Sequence, residues 1–184
     1  MVTSEEFSWL VLVVRVPANP SRHRVAVWRE LRRSGAIPLG QGIWALPQLP
    51  VFNEPVSKIL ELVAAGAGDC LVLRSAGHND RDVTALETMY ARAREEEWIE
   101  FAAECGHFLG EIDKEIAKDK LTLAELDEEE QSLDRLRRWH AEISRRDVFG
   151  QGAGESAAAR LAECADRLEQ YAQLVYDRVE GGQP

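Results

Sequence analysis

The sequence predicts an α+β fold, in which a βαββαβ domain over residues 7–79 precedes an α-helical hairpin or bundle over residues 80–181. Short β-branched runs alternate with helical patterns in the first part, whereas apolar residues in the second part recur only at helical spacing. The net charge also changes, from +2 over residues 1–81 to −12 over residues 82–184. The two parts of the chain therefore differ in composition as well as in predicted structure.

Proline and glycine mark the limits of the first strand and the first helix. The apolar run Trp9–Val16 is rich in β-branched residues and ends before a proline, which is typical of a buried strand. Asn19 followed by Pro20 predicts a helix N-cap with proline at the first helical position. We expect that helix to end at Gly35, because glycine readily closes a helix C-terminus.

The next elements complete the order of the first domain. Ala36–Leu39 and Ile43–Leu46 flank a glycine-containing turn and predict a β-hairpin. Pro38 indicates an edge position or a bulge in that hairpin, because proline cannot donate a ladder hydrogen bond. Val56–Ala65 has helical spacing, and Asp69–Arg74 is a short apolar strand. The resulting order is that of the ferredoxin-like fold.

Three helices are predicted after residue 80. Apolar residues from Val83 to Ile116 step by three and four, with one longer gap at Glu97. Thr122–Glu125 is a capping box that starts a second amphipathic helix. Gly150–Gly154 is a flexible break, and Ala157–Val179 carries the apolar stripe of a third helix. Short connections predict that these helices pack antiparallel.

Composition and motifs exclude several classes of protein. The densest apolar stretch, Trp9–Val14, is far shorter than the ~20 residues of a transmembrane helix, and it follows Glu5 and Glu6 rather than a basic segment. Three widely spaced cysteines argue against a disulfide framework. The sequence has no nucleophile elbow, phosphate-binding loop or dinucleotide-binding motif. We therefore expect a cytoplasmic protein without a membrane segment, a cofactor or enzymatic activity.

A block of arginines lies in the first predicted helix and at the strand before it. Six arginines and a single acidic residue, Glu30, occur between residues 15 and 33. On a helical wheel four of them fall on the outward side, opposite the apolar face, and form a candidate DNA-contacting surface: Arg22, Arg29, Arg32 and Arg33. Arginine suits phosphate because its planar fork of donors matches the phosphate oxygens. The alternative is a solvated helix face that happens to be rich in arginine.

Two further arginines have a different predicted environment. Arg24 falls beside Val27, Trp28 and Leu31 on the side of the helix expected to be buried, and Arg15 ends an otherwise apolar strand. A buried arginine needs a partner, so each is expected to snorkel to the surface or to form an internal ion pair. The functional alternative is a fixed cation that holds a DNA phosphate or a small oxyanion. Both are weaker DNA-binding candidates than the outward arginines.

Several segments together resemble the N-terminal region of the ChrB chromate-resistance regulator family, which is related to PaaX-type regulators. These segments are Trp9–Val14, Arg24–Arg32, Gly35-Ala36, Leu39–Pro47, Phe101–Cys105, Leu123–Glu129, Leu133–Trp139 and Arg146–Gly150. The resemblance implies a cytosolic transcriptional regulator of chromate-efflux genes that binds promoter DNA. It also implies chromate or another oxyanion as a ligand. Family members are often longer, so a separately encoded C-terminal ChrB-type partner is a further expectation.

Two other readings involve metal chemistry. The fold similarity extends to the small CRISPR spacer-acquisition nuclease, but that chemistry needs an acidic residue at the end of the first strand, and Arg15–Asn19 has none. Glu104 and His107 lie one helical turn apart, as in carboxylate-bridged metal sites of helical bundles, but the sequence lacks the second Glu-x-x-His unit that such sites use. Cys105, His107 and His140 are candidate ligands of a soft metal site. A structural core cysteine is the alternative for Cys105.

The last reading is a non-catalytic interaction module. A ferredoxin-like sheet has one face covered by its two helices and one face that needs another cover. Trp44 and Leu46, or the opposite-pointing Ile43 and Ala45, are candidates to face that cover. The cover would be either the long helices or a second copy of the chain. The second of these arrangements is a homodimer, which is the oligomeric state that we expect.

Overall fold

The computed structural model describes residues 8–150 and 153–181. The chain divides into two compact units, Met1–Ala93 and Arg94–Pro184. The division falls inside a long helix that begins at Asp80. The sequence predicts the start of the helical region at residue 80, where this helix begins, whereas the two compact units, unit 1 and unit 2 in chain order, divide after Ala93.

Unit 1 is a four-stranded antiparallel sheet with two helices packed on one face, which confirms the predicted α+β fold. The strand order is β2-β3-β1-β4, so the first strand is central and the last strand is an edge. A 3-10 turn at Pro50–Phe52 precedes the second helix. The elements of this unit are β1 (Trp9–Arg15), α1 (Ser21–Arg33), β2 (Ile37–Gly40), β3 (Ile43–Pro47), α2 (Asn53–Ala65) and β4 (Asp69–Ser75).

The helix-covered face of the sheet holds one part of the core of unit 1, while Trp9 and Ala45 are buried on the opposite face. Strand alternation places Leu12, Trp44 and Leu46 on the same face, and all three are buried. The helices contribute pairs of buried residues spaced by one turn, which are Val27 and Leu31 of α1 and Ile59 and Val63 of α2. This pattern is the amphipathic packing that the helical spacing predicts.

Two local predictions about proline have different outcomes. Pro38 lies on the edge strand β2, and the register of β2 against β3 shifts between Pro38 and Gly40, as predicted. The predicted N-cap is wrong by one residue. Pro20 is the N-cap of α1, with extended backbone angles (φ −77°, ψ 139°), so the helix begins at Ser21 rather than at the proline.

Three long helices, α3 (Asp80–Ala117), α4 (Leu123–Arg146) and α5 (Ala153–Gly181), account for the rest of the described chain. Within unit 2 they enclose an apolar core that includes Phe101, Ile112, Leu133, Ile143 and Tyr171. Thr122 caps α4 by accepting a hydrogen bond from the Glu125 amide at 3.3 Å, as the capping box predicts. Residues 151 and 152 of the predicted glycine break lie outside the described residues. Across the described ranges, every helix lacks the length or the apolarity needed to cross a bilayer.

Unit 2 also buries a charged cluster. The guanidinium groups of Arg94 and Arg146 are almost completely buried, and both contact the Glu97 carboxylate, at 3.1 and 3.0 Å. Asp147 follows directly and accepts a 2.8 Å hydrogen bond from the indole of Trp98. Glu97 is the residue at which the apolar stripe of α3 is interrupted, so the interruption marks an ion cluster inside the bundle.

Candidate nucleic-acid interface

The outward side of α1 presents four arginines to solvent, and we call Arg22, Arg29, Arg32 and Arg33 the basic face. The geometry agrees with the helical-wheel prediction, because the apolar residues Val27 and Leu31 lie on the opposite, buried side. Among the described residues, none of the first three arginines is paired with a carboxylate. The basic face therefore offers free guanidinium donors on one helix.

The partners of these arginines are weak or neutral, with one exception. Arg22 donates to the ring of the neighbouring His23 at 3.4 Å, and the Arg32 guanidinium lies 5.7 Å from the centre of the Trp28 ring. Arg33 is different, since it makes a two-pronged ion pair with Glu30, with N–O distances of 2.8 and 3.2 Å. Glu30 thus neutralises part of the charge of Arg33, and the other three arginines retain theirs.

The predicted burial of Arg24 and Trp28 is wrong. Both lie on the same side of α1 as Val27, but Arg24 is exposed and Trp28 is 52% exposed. The reason is that this side of α1 meets the sheet only around Val27 and Leu31, and beyond them it borders an open cleft. The prediction was therefore correct about which side these residues occupy and wrong about what covers that side.

This opening, which we call the α1 cleft, has a volume of about 700 Å³ and lies entirely within unit 1. It is bordered by the end of β1, the inward side of α1, the turn before β3 and the loop before β4. Arg15 also borders it, at the exposed end of β1. In the described part of the chain, neither Arg15 nor Arg24 has an ion-pair partner. Of the two expectations for these arginines, the internal ion pair is not formed among the described residues, whereas exposure at the surface is observed.

Two glycines allow the backbone to approach closely at this cleft. Gly42 has a φ of +71°, and a Cβ there would lie 2.7 Å from the Val14 carbonyl oxygen. A Cβ at Gly68 would lie 2.5 Å from the Arg15 carbonyl oxygen. Any larger residue would push the turn or the loop away from β1, so the shape of the α1 cleft depends on both glycines.

The structure does not bring the candidate metal ligands together. Cys105 is fully buried in the core of unit 2, where its carbonyl oxygen lies 3.6 Å from the Cys164 sulfur. His107 is exposed beside Glu104, at 3.5 Å, and His140 packs against the rings of Trp98 and Phe101. No group of three metal-ligating side chains occurs within residues 8–150 and 153–181. The surroundings of Cys105 are those of a cysteine in an apolar core, which was the alternative to a metal ligand.

The thiols give a prediction about reactivity. Burial and the neighbouring Cys105 raise the pKa of the Cys164 thiol to about 12, and burial also raises the pKa of Cys105. Burial and the adjacent Asp69 raise the pKa of the partly exposed Cys70. A raised pKa leaves less thiolate, which is the reactive form, at any given pH. At pH 8 we expect Ellman's reagent to modify only Cys70 in the native protein, and slowly, but all three cysteines after denaturation.

A Cys70→Ser variant is the control for this measurement. It is expected to lose the native-state reaction and to keep two thiols that react after denaturation. Rapid modification of Cys105 or Cys164 in the folded protein would contradict the buried thiol pair.

Unit 2 has a groove of the opposite charge. This second cavity has a volume of about 510 Å³ and is lined by polar and aromatic residues, by one arginine, Arg135, and by four glutamates: Glu100, Glu104, Glu111 and Glu129. Burial and the neighbouring carboxylates of Glu111 and Glu115 raise the pKa of Glu129. A groove with this charge repels a polyanion, so a nucleic-acid surface is expected on unit 1.

Comparison with known proteins identifies the family. A family model described as Protein ChrB, N-terminal, matches residues 24–182. This range includes Arg29, Arg32 and Arg33 of the basic face, most residues that border the α1 cleft and nearly all of unit 2. Protein ChrB of Cupriavidus metallidurans is 30% identical to the chain over 98 residues. Those residues are 53% of this chain and 30% of that protein, so the chain matches less than a third of its relative's length. The chain belongs to the ChrB family and corresponds to its N-terminal region.

Proposed function

We propose that this chain is the DNA-binding part of a transcriptional regulator of chromate-resistance genes, and that it acts by binding rather than by catalysis. The observation that carries the proposal is the basic face, where Arg22, Arg29 and Arg32 are exposed on one helix without carboxylate partners in the described structure. Membership of the ChrB family supports the regulatory role. The acidic groove of unit 2 favours unit 1 as the part that meets DNA.

The basic face accounts for affinity rather than for sequence preference. Each phosphate that an arginine neutralises releases counterions, which contributes about −0.9 to the slope of log affinity against log salt. Three such contacts give a slope of about −2.7, or roughly a fortyfold loss of affinity between 50 and 200 mM salt. Arginines that contact phosphate fix the position of the protein on the duplex, and base contacts supply the specificity.

A mobility-shift experiment with the promoter of the protein's own gene tests this function. We expect a shifted complex at low salt that weakens as salt is raised. The absence of a shift at 50 mM salt would contradict the proposal. Addition of chromate to the complex tests whether this chain or another domain senses the oxyanion. Release of DNA would assign oxyanion sensing to this chain. Unchanged binding assigns sensing to a C-terminal ChrB-type domain or partner.

We also propose that the regulator is a homodimer joined through β4. The two edges of the sheet differ, since β2 carries Pro38 and a register shift, whereas β4 has a regular register along its whole length. Proline and bulges protect an edge strand from pairing, and β4 has neither. Leu71 and Leu73 of β4 are 54% and 45% exposed on the face away from α1 and α2. A long apolar edge strand of this kind is suited to pairing with another strand.

The sequence of β4 suits pairing with itself. An antiparallel pair centred on Val72 places Leu71 opposite Leu73 of the second copy and Cys70 opposite Arg74, without any pair of like charges. It would also present two basic faces to one duplex, as dimeric regulators do with two half-sites. Interfaces of this isologous kind are the commonest in soluble homo-oligomers.

A cysteine placed on the two-fold axis tests this interface. Val72→Cys in a Cys70→Ser background is expected to form a covalent dimer on mild oxidation, because residue 72 would face its own copy. Ser57→Cys in the same background is the control, since Ser57 is exposed on the helix α2 and is not part of the β4 edge strand. Equal crosslinking of the two variants, or a monomer in sedimentation analysis, would contradict the β4 interface.

A further inference from the structure

The α1 cleft is built like a small-molecule site. Its volume of about 700 Å³ lies within the range of about 300–1,000 Å³ that is typical of ligand pockets. One stripe of α1 forms a wall, with Arg24, Val27, Trp28 and Leu31 at helical spacing, and Trp44 adds a second aromatic residue from the sheet. Such a lining of apolar side chains with a few charged groups is the usual composition of a ligand site.

The charges at the cleft favour an anion. Arg15 and Arg24 border it without an ion-pair partner in the described residues, and Asp69 contributes a single carboxylate. A guanidinium at the rim of an apolar cavity gains from a ligand carboxylate or phosphate, because a charge-assisted hydrogen bond is stronger there than in water. The cleft therefore has a net positive charge above an apolar floor.

The tryptophan at the rim of the cleft, Trp28, favours an anion that also carries a flat apolar ring. Trp28 borders the cleft and is 52% exposed, so part of its indole is open to a ligand, while the Arg32 guanidinium lies 5.7 Å from its ring centre. Trp28 lies one turn from Arg24 on the same side of α1, so a flat ring against the indole can carry an anionic group towards that guanidinium. A bare tetrahedral oxyanion has no apolar surface that could pack against Trp28, Val27 or Leu31.

We propose that the α1 cleft binds a small aromatic anion, with the ring against Trp28 and the anionic group at Arg24. This ligand contacts the inward side of the helix that carries the basic face on its outward side. The proposal does not depend on DNA binding, and its test uses no DNA. It identifies a ligand site in unit 1 that adjoins the basic face, because the Arg32 guanidinium lies 5.7 Å from the centre of the Trp28 ring.

Calorimetric titration with 2-naphthoate tests the proposal. We expect saturable binding of one 2-naphthoate per chain and binding of the neutral 2-naphthamide about tenfold weaker, because the amide lacks the charge that Arg24 recognises. Arg24→Gln and Trp28→Ala are each expected to weaken 2-naphthoate about tenfold. Both residues are exposed, so these variants should fold, which circular dichroism verifies.

Arg29→Gln is the matched control, because it removes an exposed arginine of the same helix that does not line the cleft. It should bind 2-naphthoate like the unmodified chain. Absence of saturable binding up to millimolar concentrations would overturn the proposal, and so would equal affinity for the acid and the amide. Displacement of 2-naphthoate by equimolar sulfate would show that the cleft recognises a simple oxyanion and not an aromatic anion. That result would also overturn the proposal.

Discussion

Simultaneous replacement of Arg22, Arg29 and Arg32 by glutamine is expected to remove most of the salt dependence of DNA binding. Each lost phosphate contact reduces the log–log slope by about 0.9, so the triple variant should have a slope about 2.7 smaller in magnitude. The three side chains are exposed, and within the described structure none is paired with a carboxylate, so the fold should not be affected. Fluorescence anisotropy of a labelled duplex, measured from 50 to 300 mM salt, gives both slopes.

The control removes the same charge from unit 2. Arg135, Arg138 and Arg145 are exposed on α4, and glutamine at all three positions should leave the slope unchanged. A single Arg33→Gln variant should flatten the slope less than Arg29→Gln, because Glu30 already neutralises part of the Arg33 charge. If the α1 and α4 triple variants change the slope equally, binding depends on total charge and not on the basic face.

Glu97→Ala is expected to destabilise the helical unit by about 3 kcal/mol. The Glu97 carboxylate contacts the guanidinium groups of Arg94 and Arg146, which are 4% and 8% exposed. The substitution removes the carboxylate that both buried guanidinium groups contact, and breaking a buried ion pair in this way typically costs about 3–5 kcal/mol. We take the lower figure because the Glu97 side chain is 22% exposed, so water compensates in part. Urea unfolding followed by far-ultraviolet circular dichroism measures the change.

Glu95→Ala is the matched control for that measurement. Glu95 is exposed on the same helix and two residues away, so both variants exchange a glutamate for the same strong helix former. Its free energy of unfolding should change by less than about 0.5 kcal/mol. Similar stabilities for the two variants would show that the cluster around Glu97 does not hold the bundle together.

Local pattern was enough to predict the elements of the fold. Proline, glycine and apolar spacing predicted every β-strand and α-helix of unit 1, and the missing N–H donor of proline predicted the edge position of Pro38. The helix that follows Asn19 began one residue later than expected, because Pro20 has the extended angles of an N-cap. These features depend on residues within a few positions of one another, which is why a single sequence reveals them.

Features built from distant residues were not predictable in the same way. The helical wheel placed Arg24 and Trp28 beside Val27, but it could not show that the end of β1 and two loops leave a cleft there. The interruption of the α3 stripe at Glu97 was visible, whereas its partner Arg146 lies 49 residues further along the chain. Periodicity gives the direction of a side chain, and only the tertiary fold determines what it meets.

Arginine footprinting tests the central claim most directly. The protein is treated with phenylglyoxal, which modifies accessible guanidinium groups, with and without promoter DNA, and each arginine is quantified by mass spectrometry. If the basic face contacts phosphate, DNA should protect Arg22, Arg29 and Arg32 and leave the exposed Arg138 and Arg145 of α4 unchanged. Equal modification of the α1 arginines with and without bound DNA would contradict the account.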